Sequence, residues 1–103
     1  GASAAIVVIA DEKKTDVWTE DCSIVMSNMH LMASYLGVGS CWIQGRLRRT
    51  SAGDSTEEYL RKLLGFPEHC RLEAVLSLGM TESMGDPREV TDELWGKVHR
   101  EIY

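Results

Sequence analysis

Residues 17–45, VWTEDCSIVMSNMHLMASYLGVGSCWIQG, predict a long helix, a glycine turn and a short strand. Asp16 is expected to be the N-cap of the helix, and Gly37 is expected to end it because glycine readily adopts the left-handed conformation. Apolar side chains cover most of the circumference of segment 17–36, which predicts burial on nearly all sides. One sheet in a chain of 103 residues cannot bury such a helix, so we expect a second subunit or a further domain to cover it.

The flanking segments alternate between strands and helices. Ala4–Ala10 (AAIVVIA) is a continuous, mainly β-branched run, and such a run predicts a strand buried on both faces at the centre of a sheet. Ser55 and Glu58 form a capping box that predicts a second helix, and Thr91 is expected to cap a last short one. Leu72–Leu78 alternates between apolar and other residues, which predicts a half-buried strand. This order by itself suggests α/β layering.

Composition excludes several classes of function. The net charge of -5 and the pI near 5.1 argue against nucleic acid as a partner, because phosphate backbones attract basic surfaces. Three cysteines without a CxxC pair indicate neither a disulfide framework nor a zinc site, and they favour a reducing cytoplasmic location. No apolar run reaches the roughly 18 residues of a membrane span, and the first residues lack the basic region of a signal peptide. The three histidines have no metal-binding spacing.

Residues 36–45, LGVGSCWIQG, are the candidate ligand-binding segment. Gly37 and Gly39 would let the backbone approach a flat ligand closely, and the strand after them presents backbone N–H groups. A flavin ring needs such a surface, with donors near its N5 and O4 atoms. A helix cap followed by an edge strand gives the same letters, so this structural alternative has equal weight.

One basic cluster follows this segment. It consists of Arg46, Arg48 and Arg49. We favour a solvated loop as its explanation, since short runs of charge are usually solvated. The alternative is a contact to an anion near a cofactor phosphate.

Several segments are similar, in the same order, to the second half of nitroreductase-family proteins, and the resemblance covers almost the whole chain. They are residues 4–11, 16–24, 36–43, 58–68 and 76–79, followed by a closing segment, 86–99. The resemblance implies an α+β fold with an antiparallel-rich sheet flanked by helices. It also implies a homodimer in which helix 17–36 packs against its twin, with FMN at the interface. Residues 1–103 would then be a single partial domain lacking the family's N-terminal half.

The activity implied by the resemblance is that of an FMN-dependent NAD(P)H oxidoreductase. Hydride would pass from NAD(P)H to FMN, and then to a nitro, quinone or similar acceptor. The residues that would line the isoalloxazine ring are Trp42, Ile43, Gln44 and Gly45, with the Gln44 and Gly45 amides near N5 and O4. Gly37 and Gly39 would shape the turn beside the cofactor, and Arg88 would contact the FMN phosphate or else remain a solvated arginine. No general acid is identified.

Two departures from the family pattern keep other functions open. Family members are about twice this length, and their N-terminal half carries the arginine- and serine-rich motif that binds the phosphate. Gln44 stands where relatives often have an acidic residue or glycine. The alternatives are therefore a cofactor-free dimerisation or interaction module and a flavin-binding protein without catalysis.

Overall fold

The computed structural model describes residues 1–103, which form three strands and three helices. In chain order the elements are β1 (Ala4–Asp11), α1 (Trp18–Tyr35), β2 (Val38–Gln44), α2 (Thr56–Leu64), β3 (Cys70–Met80) and α3 (Asp92–Trp95). The strands form one sheet in the order β1-β3-β2, and both pairs of neighbours are antiparallel. The α+β class implied by the resemblance is confirmed.

The α/β layering suggested by alternation alone is wrong, for a topological reason. β1, α1 and β2 form a strand–helix–strand unit. In this unit β1 and β2 run parallel to each other, because each is antiparallel to β3. β3 is inserted between them, which makes this a split βαβ arrangement. Local sequence order cannot show this insertion, because β3 follows some 26 residues after β2 ends.

The prediction that the apolar run 4–10 forms a central strand is also wrong. β1 lies at one edge of the sheet, and its first three residues are exposed. The central strand is β3, whose Leu72, Ala74 and Leu76 are fully buried. A continuous apolar run indicates that both faces of a strand avoid water, but it carries no information about how many strands lie beside it.

β3 also differs from the half-buried strand predicted for Leu72–Leu78. The register between β1 and β3 shifts between Val8 and Ile9, so that Glu73 is the extra residue of a β-bulge. Glu73 is only 3% exposed, although simple alternation would place its carboxylate in water. The bulge therefore turns an expected surface residue into a buried one.

α1 packs along one face of the sheet. Met26 is fully buried beneath it, and Cys22 and Ala33 are nearly so. The predicted N-cap is wrong: Val17 occupies the cap position, and no side chain caps the helix. Gly37, at φ +70°, ends the helix in the left-handed conformation as predicted.

Most of the apolar surface of α1 remains exposed in the single chain. Ile24 is 59%, Met32 55% and Leu31 71% exposed. The Cα radius of gyration is 17.1 Å, against about 13 Å for a compact domain of this length. The chain alone therefore does not provide the all-round burial predicted for this helix.

α2 and α3 begin where the capping residues predict. The Ser55 hydroxyl accepts a 3.5 Å hydrogen bond from the Glu58 N–H, and Thr91 caps α3 through the Leu94 N–H. Gly65 ends α2 in the left-handed conformation. No residue of α2 is buried, so its apolar face is also uncovered in this chain. No helix combines the length and the apolar character that crossing a membrane requires.

Candidate functional site

The end of β2 presents unpaired backbone groups. β2 is an edge strand, and the Gly45 N–H donates to the Glu73 carbonyl at 3.2 Å. Because hydrogen-bonded and non-hydrogen-bonded pairs alternate in antiparallel sheets, Trp42 and Gln44 fall in the non-bonded pairs opposite Leu76 and Ala74. Their N–H groups therefore point away from β3, towards the open edge.

The side chains of Trp42 and Gln44 hold each other in place. The Trp42 indole Nε1 donates to Gln44 Oε1 at 2.9 Å, and Gln44 Nε2 donates to the Arg46 carbonyl at 3.3 Å. Trp42 also packs against the core between α1 and the sheet. Ile43 projects from the opposite face and is 49% exposed. The strand end thus combines a fixed polar edge with an uncovered apolar side chain.

Gly45 is required by close packing rather than by an unusual backbone angle. A Cβ at this position would lie 2.6 Å from Leu72 Cδ2 and 2.9 Å from Leu72 Cγ. The Gly45 N–H is also engaged, because Glu73 O accepts from both Gly45 and Arg46, the latter at 2.8 Å. Of the two amides that the resemblance places near the flavin, that of Gln44 is therefore the free one.

Gly37 and Gly39 are not brought to the same place as Gly45. They lie at the start of β2, and six residues of extended strand separate Gly39 from Gly45, which is about 20 Å. Their surroundings contain a contact that the sequence did not indicate: Ser40 Oγ lies 2.6 Å from His30 Nδ1. The structure thus separates the predicted site residues into two groups at opposite ends of one strand.

A basic cleft adjoins Gly45. Arg46, Arg48 and Arg49 line it together with Arg71 from β3 and Trp18 from α1. The Arg46 guanidinium carbon lies 5.6 Å from the centroid of the Trp18 ring, a cation–π distance. Arg88 does not line this cleft; it is exposed in the irregular segment between β3 and α3.

Glu57, at the start of α2, organises one wall of the cleft. Its carboxylate lies 2.9 Å from Arg71 Nη1 and 3.2 Å from Arg61 Nη2, and it accepts from the Leu72 N–H at 2.8 Å. Partial burial acts to raise the pKa of Glu57, but the Leu72 N–H and the two guanidinium groups outweigh it and hold the pKa below its usual range. Glu57 therefore stays ionised and orients Arg71.

A second carboxylate, Glu73, is buried beside the same strand end without a cation. Its Oε1 lies 3.4 Å from Ser23 Oγ, and its Oε2 has no hydrogen-bond partner. The nearby Cys22 thiol has a raised pKa because it is buried, with further contributions from the charges of Glu73 and Asp21. Cys22 is therefore held as the neutral thiol.

Comparison with known proteins assigns the chain to a family. Residues 1–80 match the model of the nitroreductase family. The chain belongs to the nitroreductase family. A curated relative from Archaeoglobus fulgidus, provisionally named an NADH dehydrogenase/NAD(P)H nitroreductase, is 40% identical over 107 residues, which cover 97% of this chain and 58% of the relative.

Solved nitroreductase structures share the fold over nearly the whole chain. An FMN-dependent nitroreductase from Clostridium difficile R20291 aligns with a TM-score of 0.82 and 37% identity, covering 99% of this chain and 59% of its own. A nitroreductase with bound FMN from Desulfitobacterium hafniense DCB-2 aligns with a TM-score of 0.65 and 25% identity, covering 97% and 51%. This nitroreductase-family chain thus spans between half and three-fifths of the length of these relatives.

Proposed function

We propose that this chain forms part of an FMN-dependent NAD(P)H oxidoreductase of the nitroreductase type, with a nitro, quinone or similar acceptor. The observation that carries the proposal is the free Gln44 N–H at the end of the edge strand β2. Family membership and the FMN-dependent structures similar to this chain support it.

The residues at the strand end fit an isoalloxazine ring. A ring of this kind needs hydrogen-bond donors along its polar edge and apolar contact on its face. The N–H groups of Trp42 and Gln44 can donate, and the exposed Ile43 side chain can cover part of the ring face. Arg88 is the residue that we assign to the FMN phosphate, because its guanidinium is exposed and has no ion-pair partner.

This chain would contribute to catalysis by positioning the flavin. FMN, when bound, supplies the exchange of hydride and electrons. The Gln44 N–H would orient the polar edge of the ring, and the Trp42–Gln44 hydrogen bond would keep that strand end rigid. The bulky Trp42 and Ile43 side chains would exclude water from the ring. No side chain of the chain is assigned as a proton donor.

The proposal includes a homodimer formed through the helix at residues 17–36. The homodimer is supported by the apolar residues of α1 that point away from the sheet. A solvent-exposed apolar surface of this extent usually marks an interface. A twin helix would bury Ile24 and Leu31, which are more than half exposed in the single chain.

FMN titration of the purified chain tests the cofactor assignment, with Gln44→Pro and Gln44→Ala as a matched pair. Proline removes the backbone N–H, which takes no part in the sheet ladder, whereas alanine keeps it and removes only the side chain. We expect Gln44→Pro to weaken FMN binding about tenfold more than Gln44→Ala, since a hydrogen bond to a charged or strongly polar acceptor contributes about 1.5 kcal/mol. Equal affinities of the two variants would contradict the assignment.

The exposed face of α1 also favours a second candidate function, a dimerisation module without cofactor. Visible absorbance separates the candidates. Bound-flavin absorption that bleaches on addition of NADH or NADPH supports the oxidoreductase. Bound flavin that does not bleach indicates a flavin-binding protein without catalysis, and a stable colourless dimer that ignores added FMN supports the module.

A further inference from the structure

The basic cleft beside Gly45 has the size of a small-molecule site. Its volume is about 480 Å³, within the range of ligand pockets, which is roughly 300–1,000 Å³. It is bounded by the loop after β2, the start of α2 and the first residues of β3. The cleft therefore adjoins the strand end that we assign to the flavin without including Trp42, Ile43 or Gln44.

The cleft is strongly basic in an acidic chain. Four of the seven arginines in the sequence line it, although the whole chain carries a net charge of -5. Only one carboxylate, Glu57, lies among the lining residues, and it is already paired with Arg61 and Arg71. Arg71 is further paired with Glu12 at 2.9 Å.

Three guanidinium groups remain without a carboxylate partner. They belong to Arg46, Arg48 and Arg49, none of which forms an ion pair. Arg49 donates to the Gly53 carbonyl at 2.8 Å, which ties the loop together, and Arg46 stacks over Trp18. Unpaired positive charges held close together repel one another, so an anion bound among them would be stabilised by all three.

We propose that this cleft binds the phosphate groups of the reduced nicotinamide dinucleotide. This inference rests on the proposed function. A guanidinium group can donate two parallel hydrogen bonds to two phosphate oxygens. A group of arginines without carboxylate partners is therefore well suited to bind a pyrophosphate. Trp18 is half-buried and lines the cleft, where it supplies apolar contact for the sugar or base next to the phosphates. The nicotinamide end would then extend past Gly45 towards the end of β2.

The test measures anion binding on the flavin-free chain, so that it does not depend on activity. The probes are inorganic pyrophosphate and ADP-ribose, which carries the dinucleotide's two phosphates but no nicotinamide; adenosine is the uncharged comparison. Isothermal titration calorimetry measures the affinities. We expect pyrophosphate and ADP-ribose to bind, and adenosine to bind at least tenfold more weakly. Arg48→Gln is expected to weaken both phosphate probes about tenfold.

Arg100→Gln is the matched control, because it removes the same charge from an exposed position outside the cleft. It is expected to leave both affinities within twofold, and circular dichroism checks that both variants are folded. No binding of pyrophosphate, or equal losses in Arg48→Gln and Arg100→Gln, would overturn the proposal. Displacement of pyrophosphate by FMN but not by ADP-ribose would also overturn it, because the site would then belong to the flavin phosphate.

A separate FMN titration distinguishes this inference from the proposed function. If FMN binds and pyrophosphate does not, the cleft assignment fails and the flavin assignment stands. If the phosphate probes bind through Arg48 while FMN does not bind at any concentration, the flavin assignment fails and the dinucleotide assignment falls with it.

Discussion

The Glu57 carboxylate accepts a 2.8 Å hydrogen bond from the backbone N–H of Leu72, at a point of β3 that β2 no longer reaches. The pairing of β2 ends at Gln44 opposite Ala74, so β2 does not supply this acceptor. A side chain from α2 replaces it. Because Leu72 is fully buried, its N–H would otherwise lose a partner in a region that water does not reach.

Glu57→Gln is expected to destabilise the fold by about 1–2 kcal/mol at neutral pH, because the charge on a well-bonded acceptor is lost. The pKa of Glu57 is lowered in the folded chain, so its contribution is present above the ordinary carboxyl value of about 4.3. The contribution of Glu57 to stability declines as the pH falls through the pKa of the folded state, because Glu57 is protonated at a higher pH in the unfolded chain than in the folded one. Urea unfolding of wild type and variant at pH 7 and at pH 3 measures both effects.

Glu58→Gln is the control for this measurement. Glu58 neighbours Glu57 on α2, but its side chain is 53% exposed and pairs only with Arg61. Its loss is expected to cost less than about 1 kcal/mol, as for other exposed ion pairs. A difference between wild type and Glu57→Gln that stays constant from pH 7 to pH 3 would show that ionised Glu57 does not contribute.

Gly45→Ala is expected to destabilise the chain by about 1–3 kcal/mol, because the new methyl group overlaps the buried Leu72 side chain. A double-mutant cycle isolates this cause. In a Leu72→Ala background both clashing atoms are absent, so Gly45→Ala should cost less than about 0.5 kcal/mol there. An equal cost in both backgrounds, measured by urea unfolding, would mean that backbone conformation and not side-chain overlap requires glycine.

Two local features of the fold could be predicted from sequence because their causes are local, whereas the N-cap predicted at Asp16 is wrong. The Ser55–Glu58 cap and the left-handed Gly37 each depend on residues within one turn of the chain. Strand neighbours depend on residues far apart, and this is why the sequence alone predicts β1, and not β3, at the centre of the sheet. The burial of Glu73 depends on a bulge that only the pairing of two strands defines.

The candidate site was predictable only in part, for the same reason. Resemblance pointed to Gln44 and Gly45, but the engagement of the Gly45 N–H by Glu73 is a property of the sheet. Arg71 and Trp18 lie far from the arginine cluster in sequence and meet it only after folding. No periodicity or spacing in the chain could have indicated that they share one cleft.

Cys22 is expected to react with iodoacetamide at least a hundredfold more slowly than Cys41 in the folded chain. Cys22 is 5% exposed, whereas Cys41 is exposed on β2. Burial and the charge of Glu73 raise the pKa of the Cys22 thiol, and the thiolate is the reactive form. Mass spectrometry of timed samples gives both rates. Comparable alkylation rates of Cys22 and Cys41 in native buffer would contradict the packing of α1 on the sheet. In the control, the two cysteines should react at equal rates in urea, where the chain is unfolded.

The outer face of α1 provides the sharpest test of self-association. Leu31 is 71% exposed, and helical spacing puts it about 140° around from the buried Met26. Leu31→Glu should leave the unfolding free energy of the monomer within about 0.5 kcal/mol, because the side chain is already in water. If this face meets its twin, burying the leucine contributes about 1.5–3 kcal/mol per side chain, and self-association should weaken tenfold or more. Sedimentation equilibrium over a range of concentrations measures the dissociation constant.

Ala52→Glu is the matched control, because it places the same charge at an exposed position in the loop between β2 and α2, outside the helix face under test. Ala52 is not part of the helix that is expected to pair, so its substitution should change the dissociation constant less than threefold. Equal weakening by both variants would point to general charge repulsion. A wild-type chain that stays monomeric at high concentration would show that this face, although apolar, does not pair with a second copy.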